Sequence, residues 1–310
     1  MRRLVLLLAC ASLVALPALV RAHPLPGAPS CPIFPPDNPW NQRVDRLPVA
    51  QNSTRLIASI GLGNPVHPDF GTTYNGAPNG IPYMVVDKHT HRVPVSFDYS
   101  SESDGHLYPL PANVPIEGGR NSSGDRHVIV IDKDTCTDYE LYAAYPQAGG
   151  KRWHAGSGAI FNLRSDHLRP AGWTSADAAG LPILPGLARY DEVARGVIDH
   201  ALRFTAPCTA NAYVYPARHE ASTCSGFDPP MGLRVRLKAS VNISRLPYQA
   251  RVVAQALKTY GLILADNGSP WYISGAPNPR WNDDALHQLD QLSGSDFEVV
   301  DTRSLPHPGR

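Results

Sequence analysis

Acidic and imidazole side chains recur in Gly-rich stretches of this sequence. Loops of that kind can bring such groups to one rim, where they serve proton transfer. Glu102 and Asp104 stand in residues 101–106, Glu117 precedes two glycines, and Asp125 and His127 flank Arg126 just after Gly124. Asp69 in residues 67–71 and Asp266 in residues 266–272 each lie near an aromatic residue beside a turn. A sugar cleft needs that mixture, since an aromatic face covers the apolar side of a pyranose while carboxylates take its hydroxyls. Trp271, Tyr272 and Trp281 are therefore candidate sugar contacts, and Arg218 is a candidate partner for an acidic group. Two tryptophans in a loop-rich stretch serve equally well as core covering.

Asp177 follows Thr174 by three residues, a spacing that suits a capping box as well as a catalytic acid. The run after it, Leu181-Pro182-Ile183-Leu184-Pro185-Gly186, can form neither a regular helix nor a central strand, so the chain there follows a special path. His219 precedes a loop ending at Cys224, a suitable place for a working imidazole. His200 lies among apolar positions and reads as a satisfied core histidine. Motifs for serine esterases, zinc proteases, phosphate-cradling loops and dinucleotide-binding turns are missing.

The chain has 310 residues with 28 Lys and Arg, 27 Asp and Glu and a net charge of +1, so no global field favours nucleic acid. Thirty-one prolines and 25 glycines disfavour long helices. Arg2 and Arg3 precede an apolar run from Leu4 to Val20 that reads as a signal peptide over residues 1–22, with cleavage after Ala22 and secretion or periplasmic export as the destination. No integral membrane segment is expected after its removal. The alternative, lipoprotein cleavage before Cys10, leaves the following apolar residues unexplained. Once the leader is gone, four cysteines remain, and the expected disulfide bonds are Cys31 with Cys136 and Cys208 with Cys224. No cofactor is expected. A copper ion held by the amine and imidazole of a mature His23 is the one alternative.

Residues 23–39 are dominated by proline and predict an extended arm, and residues 40–310 a single β-rich domain. Strand patterns at 83–87 and 93–97 predict one hairpin, and those at 127–131 and 139–143 a second. Further strand-like runs cover 158–163, 212–216, 233–239, part of 260–265, and 297–301. Helical periodicity is confined to 191–205, 247–260 and 283–292. Together these predict a mainly β fold, an antiparallel β-sandwich or jelly-roll-like sheet with about three peripheral helices.

Several strings form a recognisable ensemble: Gly124-Asp125-Arg126-His127, Gly156-Ser157-Gly158-Ala159-Ile160-Phe161, Leu168-Arg169-Pro170, residues 173–182, residues 196–205 and residues 229–237. Through them the chain resembles a family of uncharacterised secreted bacterial proteins, over most of its mature length. The resemblance carries no activity, so the functional expectation rests on the side chains. It is a secreted, carbohydrate-active glycoside hydrolase (glycosidase) acting on a polysaccharide or oligosaccharide through a carboxylic acid and a carboxylate. Asp177 and Asp266 are the first pair, with Asp69, Glu102, Asp104 and Asp125 in reserve and His219 as a proton relay. The rivals are a polysaccharide lyase, with His127 or His219 and Tyr190 exchanging protons, and a glycan-binding cell-surface protein without catalysis.

Overall fold

In a computed structural model the described residues are 23–222 and 224–309. The leader and Cys10 lie outside them. Among the described residues no helix is long and apolar enough to cross a membrane. The fold is mainly β.

Three sheets carry most of it. The largest has six strands in the order β1 (His67–Asp69), β15 (Tyr272–Ser274), β12 (Leu202–Ala206), β14 (Leu262–Asn267), β13 (Arg234–Leu237) and β16 (Phe297–Val299). A second joins β11 (Ser157–Asn162), β8 (Thr137–Tyr142), β7 (Val128–Asp132) and β4 (Tyr83–Val86). The third joins β6 (Leu107–Tyr108), β5 (Val93–Phe97), β10 (Arg152–Ala155) and β9 (Tyr145–Gln147). A small hairpin pairs β2 (Thr73–Tyr74) with β3 (Ala77–Pro78).

The layering follows from which faces are apolar. Val128, Val130, Tyr139 and Leu141 of the second sheet pack with Val93, Val95, Phe97 and Trp153 of the third, as in a sandwich. On the opposite face, Ile129, Ile131, Ala159 and Phe161 pack with Leu25, Ala28, Ile33 and Phe34 and with Ile183, Leu184 and Leu187. The six-stranded sheet has its own core, built with helices α1 (Ser53–Ile60) and α3 (Tyr248–Thr259). Both expected disulfides are present, Cys31 with Cys136 and Cys208 with Cys224.

The second hairpin is found as predicted, with β7 antiparallel to β8 from Val128↔Leu141 to Asp132↔Thr137. The first is not a hairpin. β4 pairs parallel with β7, while β5 turns away to pair with β6 and β10, so the two runs belong to different sheets. Among the described residues four strand pairings are parallel, an arrangement that no local turn encodes. The Pro-rich arm is also more than a surface strap, since Leu25, Ala28, Ile33 and Phe34 are buried.

The helix expected over 191–205 breaks early. Helix α2 (Tyr190–Arg195) ends at Gly196, whose φ of 91° is the left-handed C-terminal stop, and the chain then extends into β12. Every β12 residue is buried or nearly so, which removes the alternation that would have marked a strand. Of the other helices, α3 matches its periodic stripe, whereas 283–292 divides into α4 (Asp283–Leu286) and a 3₁₀ segment over His287–Gln291.

Trp271 and Trp281 are 0% and 4% exposed, which corrects their expected role as sugar platforms. Trp271 stacks on Phe204 and Phe297 and donates its indole N–H to the Gly61 carbonyl. Trp281 packs against Phe70 and Tyr190 and donates to the Ala276 carbonyl. Trp271→Ala is expected to cost about 3–5 kcal/mol of unfolding free energy, a range set by large-to-small core changes. A urea unfolding curve checks this; an unchanged midpoint would show the ring to be dispensable.

Candidate acidic site on the large sheet

The site is organised by a charged residue in the middle of an apolar strand. Arg203 of β12 is 3% exposed and spends its guanidinium on three neighbours. Nε donates to Asp177 Oδ2 at 3.0 Å, Nη1 to Ser274 Oγ at 2.7 Å and Nη2 to Asp266 Oδ2 at 3.3 Å. A buried cation of this kind persists only when paired and hydrogen-bonded.

Sheet register explains the convergence. Asp69 lies opposite Ser274, and Arg203 reaches Ser274 from the other side, so these residues form a row across β1, β15 and β12. His67, opposite Tyr272, begins the next row, and their rings are 4.2 Å apart. Between β12 and β14 the register shifts, with Phe204 opposite Leu264 but Thr205 opposite Asp266. Ala265 is thus the extra residue of a bulge. Such an insertion flips the following side chain, which places Asp266 on the Arg203 face.

Residues 173–180 close this face, and their polar groups fix the surrounding elements. Ser157 donates to the Ser175 carbonyl, His127 Nε2 contacts the Ala176 carbonyl at 3.1 Å, and His219 Nδ1 contacts the Ala178 carbonyl at 2.9 Å. The Ala179 N–H bonds Asp177 Oδ1 and also the Ala265 carbonyl. Gly180 makes the path possible: its φ is +69°, and a Cβ there would lie 2.5 Å from the Trp173 carbonyl. Asp177 is therefore neither a helix cap nor an exposed acid, but the buried carboxylate that seats Arg203.

Two more groups flank the centre. His127 Nδ1 is 2.6 Å from Glu117 Oε2, and with its other nitrogen on a carbonyl the ring is a held imidazolium. Burial works to lower the His127 pKa, but the Glu117 carboxylate overrides it and leaves the group at about 9. Burial would raise Glu117, yet His127 wins and draws it below the usual range. On the other flank, His219 Nε2 is 3.9 Å from Glu102 Oε2, which also accepts the Thr174 N–H at 3.0 Å. Asp104 is paired with Arg169, which also donates to the carbonyls of Glu102 and Thr174. Arg218 donates to the Arg169 carbonyl.

Asp69 and Asp125 are exposed, and the side chains of Asp266, Glu102 and Asp104 are 25%, 30% and 32% exposed. Burial by the surrounding protein pushes Asp69 and Asp266 up, with Arg203 pulling both back. Burial likewise pushes Asp177 up to about 7, Arg203 opposing and Asp266 adding to the rise. Asp125 acts electrostatically on Asp69, His127, Tyr142 and Asp266, so it belongs to the same neighbourhood. Its loop is tied down by the buried Arg126, which donates to the carbonyls of Arg120, Ser122 and Ala144 and lies under the Tyr145 ring.

The eight candidate acidic and imidazole residues thus fall in one connected neighbourhood, in which Asp177 and His127 are buried. Arg203, Ser274, Tyr99, Tyr142 and Tyr145 were not among them. A lone arginine in the apolar run 201–206 was the available signal, hidden by the helical reading of that run. Tyr142 is half-buried beside Asp125 and Asp266, with Tyr99 and Tyr145 within electrostatic reach and both exposed. Gly156 admits its ring, since a Cβ there would approach Tyr142 Cδ1 to 2.7 Å. Tyr190 instead packs against Trp281 and Arg280.

The His23 backbone nitrogen donates to Asp199 Oδ1 at 3.1 Å, and among the described residues no group of three or more His, Cys, Asp and Glu is arranged to hold a metal ion. Three cavities of about 270, 340 and 470 Å³ are lined by residues other than those of the acidic cluster. Compared with family models, curated proteins and solved structures, the chain matches none.

The Glu117–His127 pair sets a pH dependence. A histidine whose pKa rises from 6.5 to about 9 on folding stabilises fully below 6.5, and that contribution is lost as pH climbs through 9. Unfolding free energy should therefore fall by about 3 kcal/mol between those limits, and Glu117→Gln should flatten the slope. Denaturant melts across pH 6 to about 9.5 check this; an equally steep slope in the variant removes the assignment.

Proposed function

We propose that this is a secreted carbohydrate-active enzyme, a hydrolase that cleaves glycosidic bonds of a polysaccharide or oligosaccharide with carboxyl groups of the Arg203 cluster. The observation that carries the reading is that Asp69 and Asp266 lie on the Arg203 face of the large sheet, with Asp125 in electrostatic reach of both and Tyr142, Tyr99 and Tyr145 in the same neighbourhood. Glycoside hydrolysis needs one carboxyl that stays protonated and a second that is ionised, near a surface on which a sugar ring can rest. The apolar leader and the two disulfides support export.

Asp266 is the proton donor in this scheme, because burial holds its carboxyl protonated further up the pH range. Asp125 supplies the carboxylate that activates water or attacks the sugar, and Asp69 is the nearby alternate. Asp177 is a positioning residue: it fixes Arg203, and Arg203 fixes Asp266. His219, with Nδ1 committed to a carbonyl, keeps Nε2 for relaying a proton with Glu102. The lyase alternative is less well served, since Arg203 is buried and already committed to Asp177, Ser274 and Asp266 instead of facing a uronate.

Asp266→Asn is expected to lower kcat on a panel of polysaccharides about 10²–10⁴-fold, the usual worth of a positioned acid. Asp125→Asn should do likewise, and Tyr142→Ala should act mainly on KM. Reducing-end release measures hydrolysis, and ultraviolet absorbance of unsaturated products reports a lyase. Binding of oligosaccharide in calorimetry without turnover would mark a glycan-binding protein, and full activity in every carboxylate variant would end the proposal.

A further inference from the structure

The amino-terminal end of the described chain is held by charged groups in a way that the carboxylate chemistry does not use. The His23 backbone nitrogen is 3.1 Å from Asp199 Oδ1, and its carbonyl accepts from Arg189 Nη2 at 2.7 Å. Asp199 is 6% exposed, and its other oxygen accepts from Arg195 at 3.3 Å. Arg189 is itself fixed by Glu192 at 2.7 Å, with Asp191 at 3.6 Å, and His200 Nε2 meets Glu192 at 3.1 Å. Two residues on, Leu25 is 1% exposed in the core beneath the second sheet. Position 23 is therefore clamped through both its nitrogen and its carbonyl oxygen.

The bond before this nitrogen is also where the residues of the leader place cleavage, after Val20-Arg21-Ala22. We infer that proteolytic processing at Ala22–His23 creates an α-ammonium group that docks on Asp199 and locks the arm to α2. Hydrolysis of that peptide bond adds one water, leaving a carboxylate on Ala22 and the ammonium on His23. A neutral N–H contact to a buried carboxylate thereby becomes a charge-assisted ion pair, which is the stronger bond. The same carboxylate already holds Arg195, so the new charge joins the network of Arg189, Asp191, Glu192, Arg195 and His200. The inference rests on the export part of the reading above and is independent of the sugar chemistry.

Mass spectrometry of the exported protein should find His23 as its first residue. A chain starting there should melt about 2 °C or more above one that keeps Arg21-Ala22 in front. Asp199→Asn should erase most of that difference, because both forms lose a partner there but only the processed form loses a charged pair, the unprocessed one losing a neutral N–H contact. Should the variant fail to fold, acetylation of the wild-type α-amine gives the answer: the docked amine should react at least tenfold more slowly in the native than in the denatured protein. A different first residue, an equal effect of Asp199→Asn on both forms, or equal acetylation rates would overturn the inference. Polysaccharide hydrolysis by a protein with another start would leave the enzyme proposal standing and sink only this one.

Discussion

A guanidinium buried in the six-stranded sheet is the constraint from which the site is built. Arg203 stays charged in a water-poor interior only because Asp177, Asp266 and Ser274 surround it, and each of those comes from a different segment. The pairing works in both directions. The carboxylates make the cation tolerable, and the cation keeps two neighbouring acids from repelling each other apart.

Because Asp177 must reach that cation, residues 173–180 are drawn tightly across the face of the sheet. Their backbone carbonyls then become docking points for Ser157, His127 and His219, which arrive from the second sheet and from the disulfide-closed loop. One ion pair thus fixes the relative placement of several loops. Asp69 and Asp125 stay exposed, Asp266, Glu102 and Asp104 stay partly so, and Tyr142 is half-buried near Asp125 and Asp266.

Local features were legible in the residues. The β7–β8 hairpin follows from two alternating runs around a short polar turn, and α3 from a stripe at helical spacing ended by Gly261. The disulfide pairing is the one expected for the four cysteines that remain after the predicted leader. The misplaced elements have a shared cause. β12 is buried on both faces, so its residues 202–206 lack the alternation of period two and mimic a helix stripe. β4 finds its partner β7 across a long connection, and parallel pairing of that kind leaves no turn signature.

The same division holds for the site. Residue type and Gly-rich context pointed to acids and imidazoles that gather in one neighbourhood, although Asp69 and Asp266 stand in strands and Asp177 and His127 are buried. What the residues could not express is which of them stay wet. Asp177 and His127 are consumed by Arg203, Glu117 and a carbonyl, while Trp271 and Trp281 are swallowed by the core. The bulge at Ala265 and the burial of Arg203 decide this, and both depend on how strands distant in sequence align. Chain-local chemistry fixes what each side chain can do; only long-range packing sets the solvent exposure and charged neighbours that determine which of them does it.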